Sequence, residues 1–207
     1  MAALLFIPAG TLGYWQAWVF LAVFVGASAA ITVYLATKDP KLLERRMNVG
    51  PSAEKEKTQK LPMFFAMTGF IALVAFPSLD HRFAWSSVPP YVALLGDVLV
   101  ALGFLFIHFV LKVNTFGAST IQIAEGQTVI SRGPYAFVRH PMYAGALPLL
   151  IGIPLALGSW WGLLVLFLFL PALIWRLLDE EKFLAKNLSG YVEYQAKVRD
   201  RLIPFIW

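Results

Sequence analysis

The stretch Met142–Glu181, MYAGALPLLIGIPLALGSWWGLLVLFLFLPALIWRLLDEE, decides the fold. It consists of two apolar arms, Met142–Leu157 and Trp160–Leu178, on either side of Gly158-Ser159. Apolar runs of this length are read as membrane-crossing helices, and a glycine–serine break between them is a turn signal. The pair is therefore a helical hairpin. Its first arm is short and carries Pro148 and Pro154. These predict a tilt or kink whose freed carbonyls are met by neighbouring helices. Polarity then returns abruptly at Asp179-Glu180-Glu181.

Working outward, the same pattern recurs upstream. Spans are predicted at Tyr14–Thr37, Leu61–Leu79 and Tyr91–Val113. Tyr14, Trp15 and Trp18 suit an interfacial aromatic belt at the start of the first. No strongly basic segment precedes that span and no A-x-A-like site ends it, so it reads as a span rather than a cleaved leader. The expected architecture is all-α and polytopic, with about five transmembrane helices followed by a cytoplasmic C-terminal helix. Composition agrees: the chain is 59% hydrophobic and 14% charged, against about 45–50% and about 25% in soluble domains. Residues 1–113 form the expected N-terminal set of three spans, and residues 114–207 the expected functional region. No internal repeat or inverted symmetry of the transporter kind is visible.

The absence of cysteine excludes disulfides, cysteine–zinc sites and thiol nucleophiles. His81, His108 and His140 are too few for a histidine-rich metal cluster, so no metal is expected. A net charge of +5 on such a chain bears on topology and anionic lipid, not on nucleic acid. Segment 38–60 holds Lys38, Lys41, Arg45, Arg46, Lys55, Lys57 and Lys60; Lys112, Arg132 and Arg139 lie between spans three and four. Six more basic residues follow from Arg176 onward, and only Arg82 lies in the 80–90 loop. With the N-terminus outside and the C-terminus inside, all but Arg82 become cytoplasmic, as the positive-inside rule requires.

That topology puts two polar clusters on one membrane face. The first is Arg132-Gly133-Pro134-Tyr135-Ala136-Phe137-Val138-Arg139-His140-Pro141-Met142-Tyr143. Gly133-Pro134 fixes a turn, His140-Pro141 enforces an extended residue, and Pro141 is placed to open a helix. Helix-start amides with Arg139 and His140 favour an anion such as a ligand carboxylate. The competing reading is an interfacial anchor. The second cluster is Arg176 with Asp179, Glu180 and Glu181. Arg176 and Glu180 are an i,i+4 pair, and Arg176 follows Trp175 inside an apolar span, where an unpaired charge is costly. Its competing reading is a snorkelling arginine above a solvated acidic turn.

Leu184, Leu188, Tyr191, Tyr194 and Val198 mark one amphipathic face, which either packs on a neighbour or membrane or roofs a pocket. Residues 118–130 read as an irregular or hairpin segment near the interface. Asp97 and His108, eleven residues apart, share a face of span three. Asp97 is expected to be hydrated near the outer end and His108 to line an access path. Asn114 is expected to cap span three or face the site.

Gly133-Pro134-Tyr135-x-x-x-Arg139-His140-Pro141-x-Tyr143-x-Gly145, then Glu180-Glu181, Gly190-Tyr191-x-x-Tyr194-x-x-x-Val198 and Ile203-Pro204-Phe205, resembles the isoprenylcysteine carboxyl methyltransferase family, within the wider phospholipid methyltransferases. The resemblance covers about residues 110–207 and looks like the compact prokaryotic type. It implies an integral membrane methyltransferase using S-adenosylmethionine at the cytoplasmic face. It further implies that Gln127, Thr128, Val129, Ile130, Tyr135, His140, Pro141, Met142, Tyr143 and Glu180 contact that cofactor, and that Arg176 faces the acceptor carboxylate. Gln127 stands where the family often has histidine, and the register leaves Glu181 as the alternative to Glu180. The chemistry of the residues fits: Arg139 and His140 suit a carboxylate, Glu180 or Glu181 an ammonium or ribose, and tyrosines a sulfonium. A lipophilic acceptor entering from the bilayer is the implied substrate, with membrane lipids as the other partners. A phospholipid amine acceptor, an NADPH-dependent sterol-type reductase with a similar Arg-His-Pro-x-Tyr pattern, and a non-enzymatic scaffold or small transporter remain the alternatives.

Overall fold

A computed structural model of the chain describes residues 1–54 and 56–207; Lys55, counted above among the basic residues of its loop, lies outside them. The described residues form eight α-helices and a single 3-10 turn, with no strand. In chain order the helices are α1 (Ala2–Ala9), α2 (Trp15–Lys38), α3 (Pro40–Met47), α4 (Lys57–Phe83), α5 (Pro90–Val113), α6 (Pro141–Ala156), α7 (Gly162–Asn187) and α8 (Tyr191–Lys197). Four of them, α2, α4, α5 and α7, are long and apolar enough to cross a membrane, and α6 is a shorter apolar helix.

Every span expected from hydropathy is a helix, and the ends differ where polar residues carry helices past the apolar run. α4 extends to Lys57 and Phe83. α7 does not stop at Leu178 but continues through the acidic cluster to Asn187, so Arg176, Glu180 and Glu181 share one rigid element. Two short helices were not anticipated. α1 buries Leu5 and Ala9 against α4 and stops at Gly10, whose φ of 67° is left-handed. α3 starts at Pro40, and the Asp39 carboxylate caps it by accepting from Leu42 N at 3.0 Å.

The most extensive helix contact joins α5 to α6, and the next joins α4 to α7. The first depends on glycine. A Cβ at Gly96 would strike the Ala156 backbone, and one at Gly152 would lie 2.6 Å from Gly96 O. A Cβ at Gly103 would meet Gly145 O at 2.9 Å. Small residues at a crossing let backbones approach where hydrocarbon offers no hydrophobic drive between helices. The core between these pairs holds Phe20, Leu73, Val74, Val100, Ile153, Leu157 and Phe169. At the end away from the polar loops, the buried Asp80 carboxylate accepts from Ser86 N at 2.7 Å, Ser86 Oγ at 2.6 Å and Ser159 Oγ. The Gly158-Ser159 turn is thereby tied to the end of α4.

One expectation for α5 is corrected. Asp97 is buried, not hydrated, with neither carboxylate oxygen hydrogen-bonded among the described residues. His108 packs edge-on against Tyr34, centroids 4.6 Å apart, and does not line the cavity described below. Tyr34 belongs to α2, which packs along α5.

Candidate active site

The end of the bundle that carries the polar loops encloses a cavity of about 410 Å³. Its apolar side is lined by Met63 and Ala66 of α4, Ile107 of α5, Ala146 of α6 and Leu173 of α7. The opposite side comes from the irregular segment after α5, the start of α6, the end of α7, and α8.

Local hydrogen bonds fix that irregular segment. Asn114 ends α5 and does both things expected of it: its Oδ1 accepts from Phe116 N at 2.9 Å, and its Nδ2 donates to Tyr135 Oη at 2.7 Å. α3 clamps the next residues, since Ser119 Oγ donates to Arg46 O at 2.9 Å and Arg45 Nη2 to Thr115 O at 2.5 Å. The Gln127 side-chain oxygen closes its own turn by accepting from Ala124 N at 2.8 Å. The 3-10 turn Gly133–Ala136 needs a glycine at its start, where φ is 58°.

Gln127, Thr128, Val129, Ile130, Tyr135, Arg139, His140, Pro141, Met142, Tyr143, Arg176 and Glu180 all line the cavity. Glu181 does not. One residue along α7 from Glu180, it points into the packing between α6 and the C-terminal tail. There its carboxylate takes Arg139 Nε at 2.6 Å, His140 Nε2 at 3.2 Å and Arg201 Nε at 2.9 Å. Arg139 Nη1 donates to Val198 O at 2.8 Å and Arg199 O at 2.7 Å. The amides of Arg139 and His140 donate to Asp200 O and Arg201 O, both at 3.0 Å. The sequence reading that gave the Arg139 and His140 side chains to a ligand anion is corrected accordingly. Arg139 Nη1 and both main-chain amides already hold the tail, while Arg139 Nε and His140 Nε2 are taken by Glu181.

Glu180 faces the cavity and accepts from Tyr143 Oη at 2.8 Å. Arg176, by contrast, makes no ion pair with Glu180, although the i,i+4 spacing suggested one. Its Nη2 lies 2.6 Å from Glu54 Oε1, a carboxylate with no exposed side-chain surface. Nη2 also donates to Ser119 O at 2.9 Å, and Nη1 to Gln59 Oε1 at 3.2 Å. A charge in so dry a setting takes the partner that desolvates with it, and long-range packing supplies one. Glu54, Gln59 and Arg46 were missed by sequence reasoning. Arg46 alone had a local signal, the Asp39-Pro40 cap that marks α3.

The α8 segment roofs the cavity. Tyr191 and Tyr194 are buried and pack with Leu188, Val129 and Ile123. Tyr194 Oη donates to Tyr135 O at 2.7 Å. Burial pushes the Tyr135 phenol up to about 12, opposed by its bond to Asn114. Tyr191 and Tyr194 are raised as well, again chiefly by burial. All three rings are therefore neutral at physiological pH.

A family model described as phospholipid methyltransferase matches residues 91–190, which contain α5, α6 and α7. Two curated rice proteins, from Oryza sativa subsp. indica and subsp. japonica, are each named probable protein-S-isoprenylcysteine O-methyltransferase. Each is 27% identical to this chain over 199 residues, covering 92% of this chain and 97% of the relative.

Proposed function

We propose that this chain, a membrane methyltransferase related to the protein-S-isoprenylcysteine O-methyltransferases, binds S-adenosylmethionine in the cavity and methylates the carboxylate of a lipophilic acceptor. The observation that carries the reading is the cavity itself. It is polar and tyrosine-lined on one side, apolar on the side of α4 to α7, and of ordinary ligand-site size.

The side chains fit such a cofactor. Glu180 offers an acceptor for an ammonium or ribose hydroxyl, and Tyr135, Tyr143 and Tyr191 offer ring faces to a sulfonium. When bound, the cofactor supplies an electrophilic methyl group. The protein's work is then placement in a water-poor site, because a carboxylate is already nucleophilic at neutral pH and needs no general base. Arg176, held by Glu54, Gln59 and Ser119, would orient the acceptor carboxylate. Residues 127–130, Tyr135 and 140–143 would hold the cofactor. Met63, Ala66, Ile107, Ala146 and Leu173 would take the apolar chain of an acceptor arriving from the bilayer. In this reading residues 1–113 frame the site and residues 114–207 carry most of it, with the site facing the cytoplasm.

Purified protein in detergent should bind S-adenosylhomocysteine and not NADPH by calorimetry. It should transfer labelled methyl from S-adenosylmethionine to an N-acetylated S-prenylcysteine. A folded sample that binds no S-adenosylhomocysteine overturns the reading. One observation favours a second acceptor class: Glu54 already balances Arg176, so a neutral amine acceptor meets no unpaired cation there. Methylation of phosphatidylethanolamine, with the prenylcysteine acid inert, would select that alternative.

A further inference from the structure

The charged side chains that line the cavity are Arg46, Arg139, Arg176 and Glu180. Two of the arginines are committed, Arg139 to Glu181 and Arg176 to Glu54. What remains is one cation and one anion. Arg46 makes no ion pair among the described residues, and its one side-chain hydrogen bond, to Gly117 O, is a long 3.4 Å. Glu180 makes no ion pair among them either and accepts only from the Tyr143 phenol. Both line the same cavity as the Tyr135 phenol. A half-buried guanidinium facing a cavity without a counter-charge is costly unless a ligand completes it.

We propose that Arg46 holds the carboxylate of the cofactor's amino-acid head while Glu180 holds its ammonium. The proposal rests on the cofactor reading above and deepens it. An α-amino acid head presents one carboxylate and one ammonium, which is the charge pair the cavity leaves open. α3 is built to keep Arg46 in place: Asp39 caps its start, and Ser119 Oγ bonds the Arg46 carbonyl at 2.9 Å. A guanidinium suits a carboxylate because its donors form a planar fork. The helix just past the first span thus enters the active site, although the family match begins only at residue 91.

The test uses the full-length protein in detergent and three ligands: S-adenosylhomocysteine, its carboxamide, and 5′-methylthioadenosine, which lacks the amino-acid head. Arg46→Gln should weaken S-adenosylhomocysteine about tenfold or more, the usual worth of a charge-assisted contact. It should leave 5′-methylthioadenosine unchanged. Arg46→Lys, which keeps the charge and loses the fork, should recover part of the loss. Wild type should prefer the acid over the carboxamide, and Arg46→Gln should not. Equal weakening of all three ligands would make Arg46 a shaping residue only, and the proposal fails. It also fails if S-adenosylhomocysteine is held as well by Arg46→Gln as by wild type; a raised KM for a carboxylic acceptor in that variant would then assign Arg46 to the acceptor. If wild type binds 5′-methylthioadenosine but Arg46→Gln does not fold, the acid–carboxamide preference of wild type against Arg46→Lys decides. Wild type that is folded yet binds no S-adenosylhomocysteine overturns the cofactor reading, and this proposal with it.

Discussion

Arg176 carries two jobs that a single substitution confounds. Its guanidinium faces the cavity and also neutralises Glu54, which has no exposed side-chain surface. Arg176→Ala leaves that carboxylate buried without a counter-charge, bonded only by the Ile121 amide, which costs about 3–5 kcal/mol. A large loss of thermal stability is expected, and Arg176→Ala/Glu54→Gln should recover most of it. Arg176→Lys separates the jobs, because the charge stays and the planar fork goes. That variant should melt close to wild type, bind S-adenosylhomocysteine as wild type does, and lose about a hundredfold in kcat with a carboxylic acceptor. Weakened S-adenosylhomocysteine binding in Arg176→Lys would place Arg176 on the cofactor instead. The same residue shows the reach of sequence reasoning. The spacing to Glu180 is visible in the sequence, but Glu54 lies 122 positions earlier, and only packing reveals it. An i,i+4 pair contributes a few tenths of a kcal/mol, too little to hold Arg176 against a partner buried beside it.

At the level of elements, the Arg-His-Pro run and the C-terminal tail act as one strut through Glu181. Glu181→Gln removes the charge that Arg139, His140 and Arg201 share. Hydrogen exchange should then speed at the Arg139 and His140 amides, whose acceptors are Asp200 O and Arg201 O in the tail. Exchange unchanged in that pair would mean the backbone pairing holds without the carboxylate. The α5–α6 contact makes a separate demand. Gly152→Leu must push Gly96 O and Val100 N away, so the helices separate along their whole crossing. Folded yield in detergent should fall sharply, whereas Gly26→Ala, with open space around its Cβ position, should be silent. The long spans were legible because twenty apolar residues have few alternatives in a bilayer. α1 was not, since eight apolar residues carrying Pro8 and ending at a glycine give no period to read. α3 was legible in principle from Asp39-Pro40, a cap followed by a first-turn proline. The roof of α8 was foreseen as one of two fates for its amphipathic face, and the contacts to Val129 and Ile123 select it.

For the whole molecule, the charge count and the cavity give the same sidedness. Of the seventeen basic residues only Arg82 falls in the 80–90 loop. Of the others, Arg46, Arg139 and Arg176 line the cavity. Ser86 and Ser159 tie the opposite end together through Asp80. We propose from the positive-inside rule that the cavity faces the cytoplasm. Because the chain has no cysteine, a single introduced thiol reports its own side. Ser52→Cys and Ser87→Cys sit on exposed positions at the two ends of α4. In intact cells a membrane-impermeant maleimide should label Ser87→Cys and spare Ser52→Cys until the membrane is opened. The reverse pattern would turn the molecule over, strand the cavity outside, and sink the assignment of a cytoplasmic methyl donor. Labelling of both in intact cells would mean two orientations coexist, which a bias of all but one basic residue is expected to prevent. Moving charge tests the cause: Arg82→Glu should leave the pattern as it is. Adding three lysines to the 84–89 loop should make Ser52→Cys partly reactive, because orientation follows the difference in basic charge between the two sides.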